Sequence, residues 1–151
     1  ALIQTGVAYL AIRLPRRWLN PHAWLLRARP WERGGDLYER LFRVRRWKAL
    51  LPSGGGLFRG GFSMRSLQGR DAAHLHTWVL ESCRAEICHW AAIAPSLLFF
   101  IWNPPGVGWV MIAYAVLVNA PCIIAQRYNR PRFQKIAAHR GIPPPPPSPS
   151  T

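Results

Sequence analysis

Two apolar runs separated by a short turn constrain this chain more than any other feature. The runs cover residues 87–102 and 107–125, and the uncharged turn between them reads Trp-Asn-Pro-Pro-Gly-Val-Gly. Each run approaches the roughly 20 residues that an α-helix needs to cross a bilayer. A polar cluster lies at the outer end of each run, and an antiparallel hairpin brings the two clusters to the same end. The pattern therefore predicts a membrane hairpin over residues 81–132 with its polar groups at one interface.

The charge balance favours a membrane surface over a nucleic acid as the partner. The chain of 151 residues carries 20 Lys and Arg against 6 Asp and Glu, a formal net charge of +14, although 50% of its residues are hydrophobic. A basic protein of this size ordinarily suggests a nucleic-acid binder. Here the charges avoid the longest apolar runs, and a nucleic-acid binder has no need of such runs. We therefore expect membrane lipids as partners and no nucleic acid.

The predicted fold class is an all-α membrane protein with about three transmembrane helices, one N-terminal and two in the hairpin, joined by basic amphipathic interfacial helices. The predicted units are a span at about 1–14, an interfacial segment at 18–80 and spans at about 82–102 and 107–128, all in one membrane domain, 1–135. The N-terminal stretch is short for a span. It fits the rear half of a transmembrane helix whose front is missing. The alternative is the remnant of a signal peptide, although no small-residue cleavage pattern precedes the charges.

The interfacial segment is rich in arginine and tryptophan. Asp36 suits the N-cap position of a helix, and the residues after it place apolar side chains on one face and arginines on the other. The apolar face comprises Leu37, Leu41, Val44 and Trp47. Such a helix is expected to lie on the membrane surface. Residues 51–63 lack the Lys-Ser/Thr ending of a phosphate-binding loop and predict a flexible connection, and residues 64–80 predict a second surface helix.

The distribution of basic residues predicts the orientation. Lysine and arginine lie in residues 13–84 and 127–140 and are absent from the turn of the hairpin. By the positive-inside rule, both basic segments and the C-terminus face the cytoplasm. Residues 136–151 form a proline-rich tail without a pattern of core-forming residues. A tail of this kind needs a contact to become ordered, and a neighbouring membrane subunit is the expected source of that contact.

The two polar clusters are predicted to meet across the hairpin. Counting outward from the turn at about 1.5 Å per residue places three pairs at equal levels: Arg84 with Gln126, Glu81 with Asn129, and His89 with Pro121. Two of the six acidic residues, Glu81 and Glu86, lie in the first cluster. Ionisable groups at membrane depth are costly unless they are paired, which makes both clusters candidates for a functional site.

The spacing within the first cluster suggests a general base. Glu86 and His89 are three residues apart and are therefore neighbours on a helix. A carboxylate beside an imidazole orients the ring and raises its basicity, as the deprotonation of a hydroxyl requires. In the alternative interpretation, Glu81–Arg84 and Glu86–Arg127 are only ion pairs that tie the hairpin together, and His89 is a packing residue.

The cysteines predict neither a disulfide framework nor a metal site. Cys83, Cys88 and Cys122 form no CxxC pair and no zinc pattern. We expect them to be small packing residues. A catalytic thiol at Cys88 is the alternative, but adjacent residues on a helix point about 100° apart, so Cys88 would pair poorly with His89.

Four blocks of the sequence carry a resemblance to a known family. They read R-x-P at residues 13–15, R-x-W-K at 45–48, E-[ST]-x-R-A-E-x-x-H-W at 81–90 and N-x-P-x-I-[IV]-x-Q-R-Y-N-R-P-R at 119–132. In these blocks the chain resembles the glycosyl-4,4'-diaponeurosporenoate acyltransferases, over about residues 5–135. The last two blocks are long and specific, whereas the tail lies outside the pattern.

The resemblance implies a bacterial inner-membrane enzyme that places a fatty acyl group on the sugar of a glycosylated carotenoid. It implies an activated acyl donor as co-substrate and no resident cofactor. His89 is the expected general base and Glu86 the residue that orients it. The expected substrate-binding residues are Glu81, Arg84, Asn119, Gln126, Arg127, Tyr128, Asn129 and Arg130.

Two other functions remain open at this point. A small membrane protein with a basic belt also fits a non-catalytic accessory subunit of a larger, pigment-containing photosynthetic complex, because a fold can be retained without its activity. An acyltransferase acting on a different glycolipid would share the site and differ only in the acceptor.

Overall fold

The computed structural model describes residues 19–51 and 72–143, together with Gly6, residues 9–10 and residues 13–15; of residues 72–74 it describes only the backbone. Every regular element within these residues is helical, as predicted. The α-helices are α1 (Asp36–Phe42), α2 (Val44–Trp47), α3 (Ala72–Ile93) and α4 (Pro105–His139). Three 3-10 helices cover Pro30–Gly35, Lys48–Leu50 and Ala94–Phe100.

Helices α3 and α4 form the predicted antiparallel hairpin, and the contacts between them confirm its register. Glu86 of α3 pairs with Arg127 of α4. Nearer the open end of the hairpin, the rings of Trp78 on α3 and Phe133 on α4 stack with their centroids 3.8 Å apart. Both pairings lie within about one helical turn of the levels that counting outward from the turn predicted.

The two arms of the hairpin differ from the prediction in length and continuity. The α-helix of the first arm ends at Ile93 and the chain continues as the 3-10 helix Ala94–Phe100, where Pro95 lacks the N–H of a regular helical hydrogen bond. The described part of the predicted surface helix at 64–80, residues 72–80, belongs to α3, which is continuous from Ala72. Helix α4 has 35 residues and reaches His139, so it includes the first residues assigned to the tail.

Helix α4 is long and apolar enough, by length and composition, to cross a membrane, and it is the one such helix in the described part of the chain. Most of the predicted first span, residues 1–14, lies outside the described residues, and the number of spans stays a prediction. Large apolar side chains near the hairpin turn and along α4 are exposed: Leu97, Ile101, Trp102, Trp109, Val110 and Leu117.

The interfacial segment does not form the single amphipathic helix that the sequence predicted. Arg43 adopts a left-handed conformation with φ +49°, which ends α1 and separates it from α2. The carboxylate of Glu39 accepts a hydrogen bond from the backbone N–H of Arg45 and so stabilises the first turn of α2. Leu41, on the predicted apolar face, is 65% exposed, whereas Val44 beyond the break is fully buried. Gly35, and not Asp36, occupies the N-cap position of α1.

Gly35 fixes the distance between the interfacial segment and α4. Its φ is +94°, and a Cβ atom there would lie 2.7 Å from the backbone oxygen of Tyr128. Gly35→Ala is therefore expected to cost about 1–2 kcal/mol for the left-handed conformation and a further 1–3 kcal/mol or so for the backbone contact. Thermal unfolding of the detergent-solubilised protein measures the loss.

Gly34→Ala is the matched control for this substitution. Gly34 also has a positive φ, +65°, but its nearest neighbour would be the flexible end of the Lys135 side chain at 3.6 Å. Only the conformational cost applies there. Equal destabilisation by the two substitutions would show that the approach of Gly35 to Tyr128 does not limit the packing.

Candidate functional site

A buried ion network lies where the two polar clusters meet. Glu86 of α3 is fully buried. Its Oε1 accepts a hydrogen bond of 2.8 Å from Arg127 Nε, and its Oε2 accepts one of 2.5 Å from Arg130. The indole N–H of Trp90 donates a third, at 3.3 Å. Both oxygens of this carboxylate are therefore committed to side chains of the hairpin.

The same two arginines bind the interfacial segment to the hairpin. Arg127 donates to Glu32 at 2.6 Å and to the backbone oxygen of Leu25. Arg130 donates to the backbone oxygen of Leu26 at 2.6 Å. Two guanidinium groups thus face two carboxylates, which leaves the buried network close to electrically neutral and ties three stretches of the chain together.

Arg130 also reaches back to α3, where the hydroxyl of Ser82 accepts from its Nε at 2.8 Å. Tyr38 of α1 lies beside the network. Burial, and next the negative charge of Glu32, raises the pKa of Tyr38 to about 12. Its hydroxyl therefore remains neutral at every physiological pH, and the network gains no further charge.

The ion pairs expected from the sequence are present. Glu86 pairs with Arg127, and Glu81 pairs with Arg84 at 3.1 Å. Arg84 donates in addition to the backbone oxygen of Leu14 at 2.9 Å, which joins the first block of the family pattern to α3. These contacts give Arg84 and Arg127 positioning roles in the hairpin.

His89 has a different partner from the one that the sequence suggested. Its Nδ1 lies 2.9 Å from the carboxamide oxygen of Asn119 on α4, whereas Glu86 faces the two arginines. The expected orientation of His89 by Glu86 is therefore not what the structure shows. Asn119 is 4% exposed, and its position on α4 is opposite His89 in the hairpin register.

The amide of Asn119 determines the tautomer of His89. The Nδ2 of Asn119 donates to the backbone oxygen of Ala115 at 2.8 Å. A carbonyl oxygen only accepts, so the NH₂ group must face Ala115 and the carboxamide oxygen must face His89. Because that oxygen also only accepts, Nδ1 of His89 must be the donor, and in the neutral ring the lone pair then lies on Nε2. The arrangement is that of a general base oriented by a neighbouring acceptor.

Two further residues named from the sequence, Tyr128 and Asn129, lie away from His89. Both contact the basic side chains of α2 and its vicinity, Arg45 and Lys48. Gln126 lies on the hairpin side of α4, and its buried Oε1 has no hydrogen-bond partner among the described residues. No three His, Cys, Asp or Glu side chains cluster as a metal site would require, within the described residues.

Sequence reasoning missed Glu32 and Ser82 as partners of the arginines. Glu32 lies 95 residues before Arg127, so no local spacing connects them. The signal that was available is the scarcity of acids, 6 against 20 basic residues. A buried arginine needs a carboxylate to neutralise its charge, and this chain has only six, of which Glu32 is one.

Comparison with known proteins identifies the family. The family model for glycosyl-4,4'-diaponeurosporenoate acyltransferase matches residues 15–139, which include α1 to α4. The chain belongs to the glycosyl-4,4'-diaponeurosporenoate acyltransferase family. The resemblance stated from the four sequence blocks is thereby confirmed.

Curated members of the glycosyl-4,4'-diaponeurosporenoate acyltransferase family match most of the chain. The proteins of that name from Staphylococcus aureus strains bovine RF122 / ET3-1 and MRSA252 are each 31% identical to it over 135 residues, which is 89% of this chain and 81% of theirs. The protein from strain USA300 is 30% identical over the same share. No solved structure matches the chain.

Proposed function

We propose that this protein is a membrane-bound acyltransferase that moves a fatty acyl group from an activated donor onto a sugar hydroxyl of a glycosylated carotenoid. The observation that carries the proposal is the hydrogen bond between His89 and Asn119, 2.9 Å long, across the hairpin. It joins the two long sequence blocks that resemble the family, and it leaves a basic imidazole nitrogen beside an apolar helix. The reaction class is that of the Staphylococcus aureus relatives, which are named as glycosyl-4,4'-diaponeurosporenoate acyltransferases.

The proposed step uses Nε2 of His89 as the base. Nε2 removes the proton of the sugar hydroxyl, and the hydroxyl oxygen attacks the carbonyl carbon of the acyl donor. The bond between that carbon and the carrier's leaving atom breaks, and the imidazolium returns its proton to the leaving group. The products are the sugar ester and the free carrier. No resident cofactor takes part, and the acyl donor is the co-substrate.

The ion network has a positioning role in this proposal. The guanidinium groups of Arg127 and Arg130 donate hydrogen bonds to oxygen atoms of the protein itself. We therefore propose that they hold α4 against α3 and the interfacial segment. Among the substrate-binding residues expected from the sequence, Gln126 keeps a free acceptor and lies two turns from Asn119 on the same face of α4. We assign Gln126 to the hydrogen-bonding of a sugar hydroxyl.

The exposed apolar surface supports a position in the membrane. Trp102 and Trp109, 65% and 66% exposed, lie on either side of the hairpin turn, as tryptophans do at a membrane interface. The opposite end of the hairpin carries the basic groups. We propose the inner membrane as the location, with this basic end and the C-terminus cytoplasmic. The carotenoid would then lie along the apolar face of the hairpin.

The accessory-subunit alternative gains no support from the described part of the chain. It rested on the basic segments, which fit the acyltransferase equally well, and on the proline-rich tail, of which residues 144–151 lie outside the described residues. A described contact of the tail joins His76 to the backbone oxygen of Pro143 at 2.6 Å, within the same chain. We therefore propose no second function.

Mass spectrometry of extracted pigments tests the proposal. Cells that make a glycosylated carotenoid but no acylated form would be compared with and without this protein. We expect the glycoside to gain the mass of a fatty acyl group, and fragmentation to locate the added mass on the sugar. An unchanged pigment pool, in cells where the folded protein is detected in the membrane, would reject the proposed function.

A further inference from the structure

A second cluster of charges, separate from the ion network, surrounds Tyr128. The Tyr128 hydroxyl accepts hydrogen bonds from Arg45 at 2.9 Å and from Arg132 at 2.8 Å. The Lys48 ammonium lies 4.9 Å from the centre of the Tyr128 ring, and the Arg132 guanidinium lies 4.0 Å from it. Three cationic side chains from two distant parts of the chain thus converge on one buried aromatic ring.

This basic cluster is only partly neutralised, in contrast to the ion network: two carboxylates, Asp36 and Glu39, lie near its three cations, and the charge of Glu39 acts on both Arg45 and Lys48. Lys48 donates to the neutral carboxamide oxygen of Asn129 at 2.9 Å. Arg132 pairs with Asp36, whose side chain is 63% exposed, and exposed pairs of this kind contribute little. Burial lowers the pKa of Lys48, and the nearby positive charges of Arg132 and Arg45 lower it further. Mutual repulsion of this kind is relieved when an anion binds.

The chemistry of the cluster suits a phosphate group. Guanidinium groups donate to phosphate oxygens in a fixed, forked geometry, and a lysine beside them supplies a mobile point charge. The Nε of Arg132 has no acceptor among the described residues. The block R-x-W-K, which contains Arg45 and Lys48, has no part in the proposed acyl-transfer step. An anion site gives this block a function.

The distance from His89 indicates which phosphate would bind. Tyr128 lies nine residues beyond Asn119 on α4, about 14 Å along the helix axis and about half a turn around it. A phosphate bound there can belong to the same donor as an acyl carbonyl at His89 only if a long, flexible arm joins the two. A phosphopantetheine thioester has such an arm, whereas the phosphate and acyl esters of a phospholipid lie close together.

We propose that Arg45, Lys48 and Arg132 bind the phosphate groups of a pantetheine-type acyl carrier, so that its arm reaches His89. This inference rests on the proposed function for the identity of the ligand. It assigns the acyl donor to the phosphate-bearing thioesters and gives the cytoplasmic basic end of the hairpin a role in donor binding.

Binding of coenzyme A to the purified full-length protein in phosphatidylcholine nanodiscs tests the inference. Arg45→Gln and Lys48→Gln are each expected to weaken binding by roughly ten-fold or more, as the loss of a charged hydrogen bond would. Arg46→Gln is the matched control. This substitution removes a positive charge from α2, the helix that contains Arg45. Arg46 is exposed, and the described hydrogen bonds to the Tyr128 hydroxyl come from Arg45 and Arg132 instead. Pantetheine, which lacks the phosphates, is expected to bind weakly and equally to all variants.

Two results would overturn the inference. Equal weakening by all three substitutions would show a non-specific attraction to positive charge. Association with phosphatidylglycerol vesicles that depends on Arg45 and Lys48, without any dependence of coenzyme A binding, would assign the cluster to a lipid headgroup. The binding assay contains no sugar acceptor and therefore measures donor binding alone. A protein that binds coenzyme A through the cluster but adds no acyl group in the pigment experiment would reject only the proposed acyl transfer.

Discussion

Replacing His89 by alanine is expected to lower the rate of acyl transfer by about 10²–10⁴-fold, the usual contribution of a positioned general base. The protein should remain folded, because His89 is only partly buried and its one described hydrogen bond is to Asn119. The physical reason is the loss of Nε2, the proposed base, whose ring is oriented by the hydrogen bond between Nδ1 and Asn119. Initial rates of purified variants in nanodiscs measure the effect, with helix content checked by circular dichroism.

His76→Ala is the matched control for this prediction. His76 lies on the same helix, α3, and its described contact is with the backbone oxygen of Pro143, far from Asn119. Its replacement should leave the transfer rate nearly unchanged. If the folded His89→Ala variant retained a rate within about ten-fold of the parent, the assignment of His89 as general base would be wrong.

Replacing Glu86 by glutamine is expected to destabilise the fold by about 3–5 kcal/mol, because it leaves two buried guanidinium groups without their shared carboxylate. Arg130 is 3% exposed and Glu86 is fully buried, so water cannot compensate. A loss of this size is a large part of the stability of a small domain. The expected result is a low yield of folded protein and a lower unfolding temperature.

Glu81→Gln separates this effect from a general loss of charge. Glu81 also pairs with an arginine on α3, Arg84, but its side chain is 21% exposed, whereas that of Glu86 is fully buried, so the loss of its charge should destabilise the fold less. Thermal unfolding of the two variants in one detergent should differ clearly. If Glu86→Gln were as stable as Glu81→Gln but inactive, Glu86 would act in the chemistry, as the sequence first suggested.

The hairpin register could be predicted because it depends on few quantities. The turn is uncharged, the rise per residue is constant, and the polar clusters are short. The Glu86–Arg127 pair, which the sequence offered in the alternative interpretation, lies within about one helical turn of that register. The break at Arg43 could not be predicted in the same way, since arginine rarely adopts a positive φ and the sequence there contains neither glycine nor proline.

The hydrogen-bond partner of His89 could not be predicted from spacing for a different reason. Both Glu86 and Asn119 lie close enough to His89 to bond with it, and spacing alone does not favour either. The choice follows from competition: Arg127 and Arg130 are charged donors and bind the Glu86 carboxylate more strongly than a neutral imidazole does. Their own positions depend on Glu32, which the sequence places far away. The site could be located from the sequence, but its internal pairing could not.

The measurement that tests the account most directly is a double-mutant cycle on the acyl-transfer rate with His89→Ala, Asn119→Ala and the double variant. If Asn119 acts only by orienting His89, the double variant should be no slower than His89→Ala alone, because removing an orienting residue costs nothing once the base is gone. Losses that add in the double variant would contradict the account and would give Asn119 a role independent of His89.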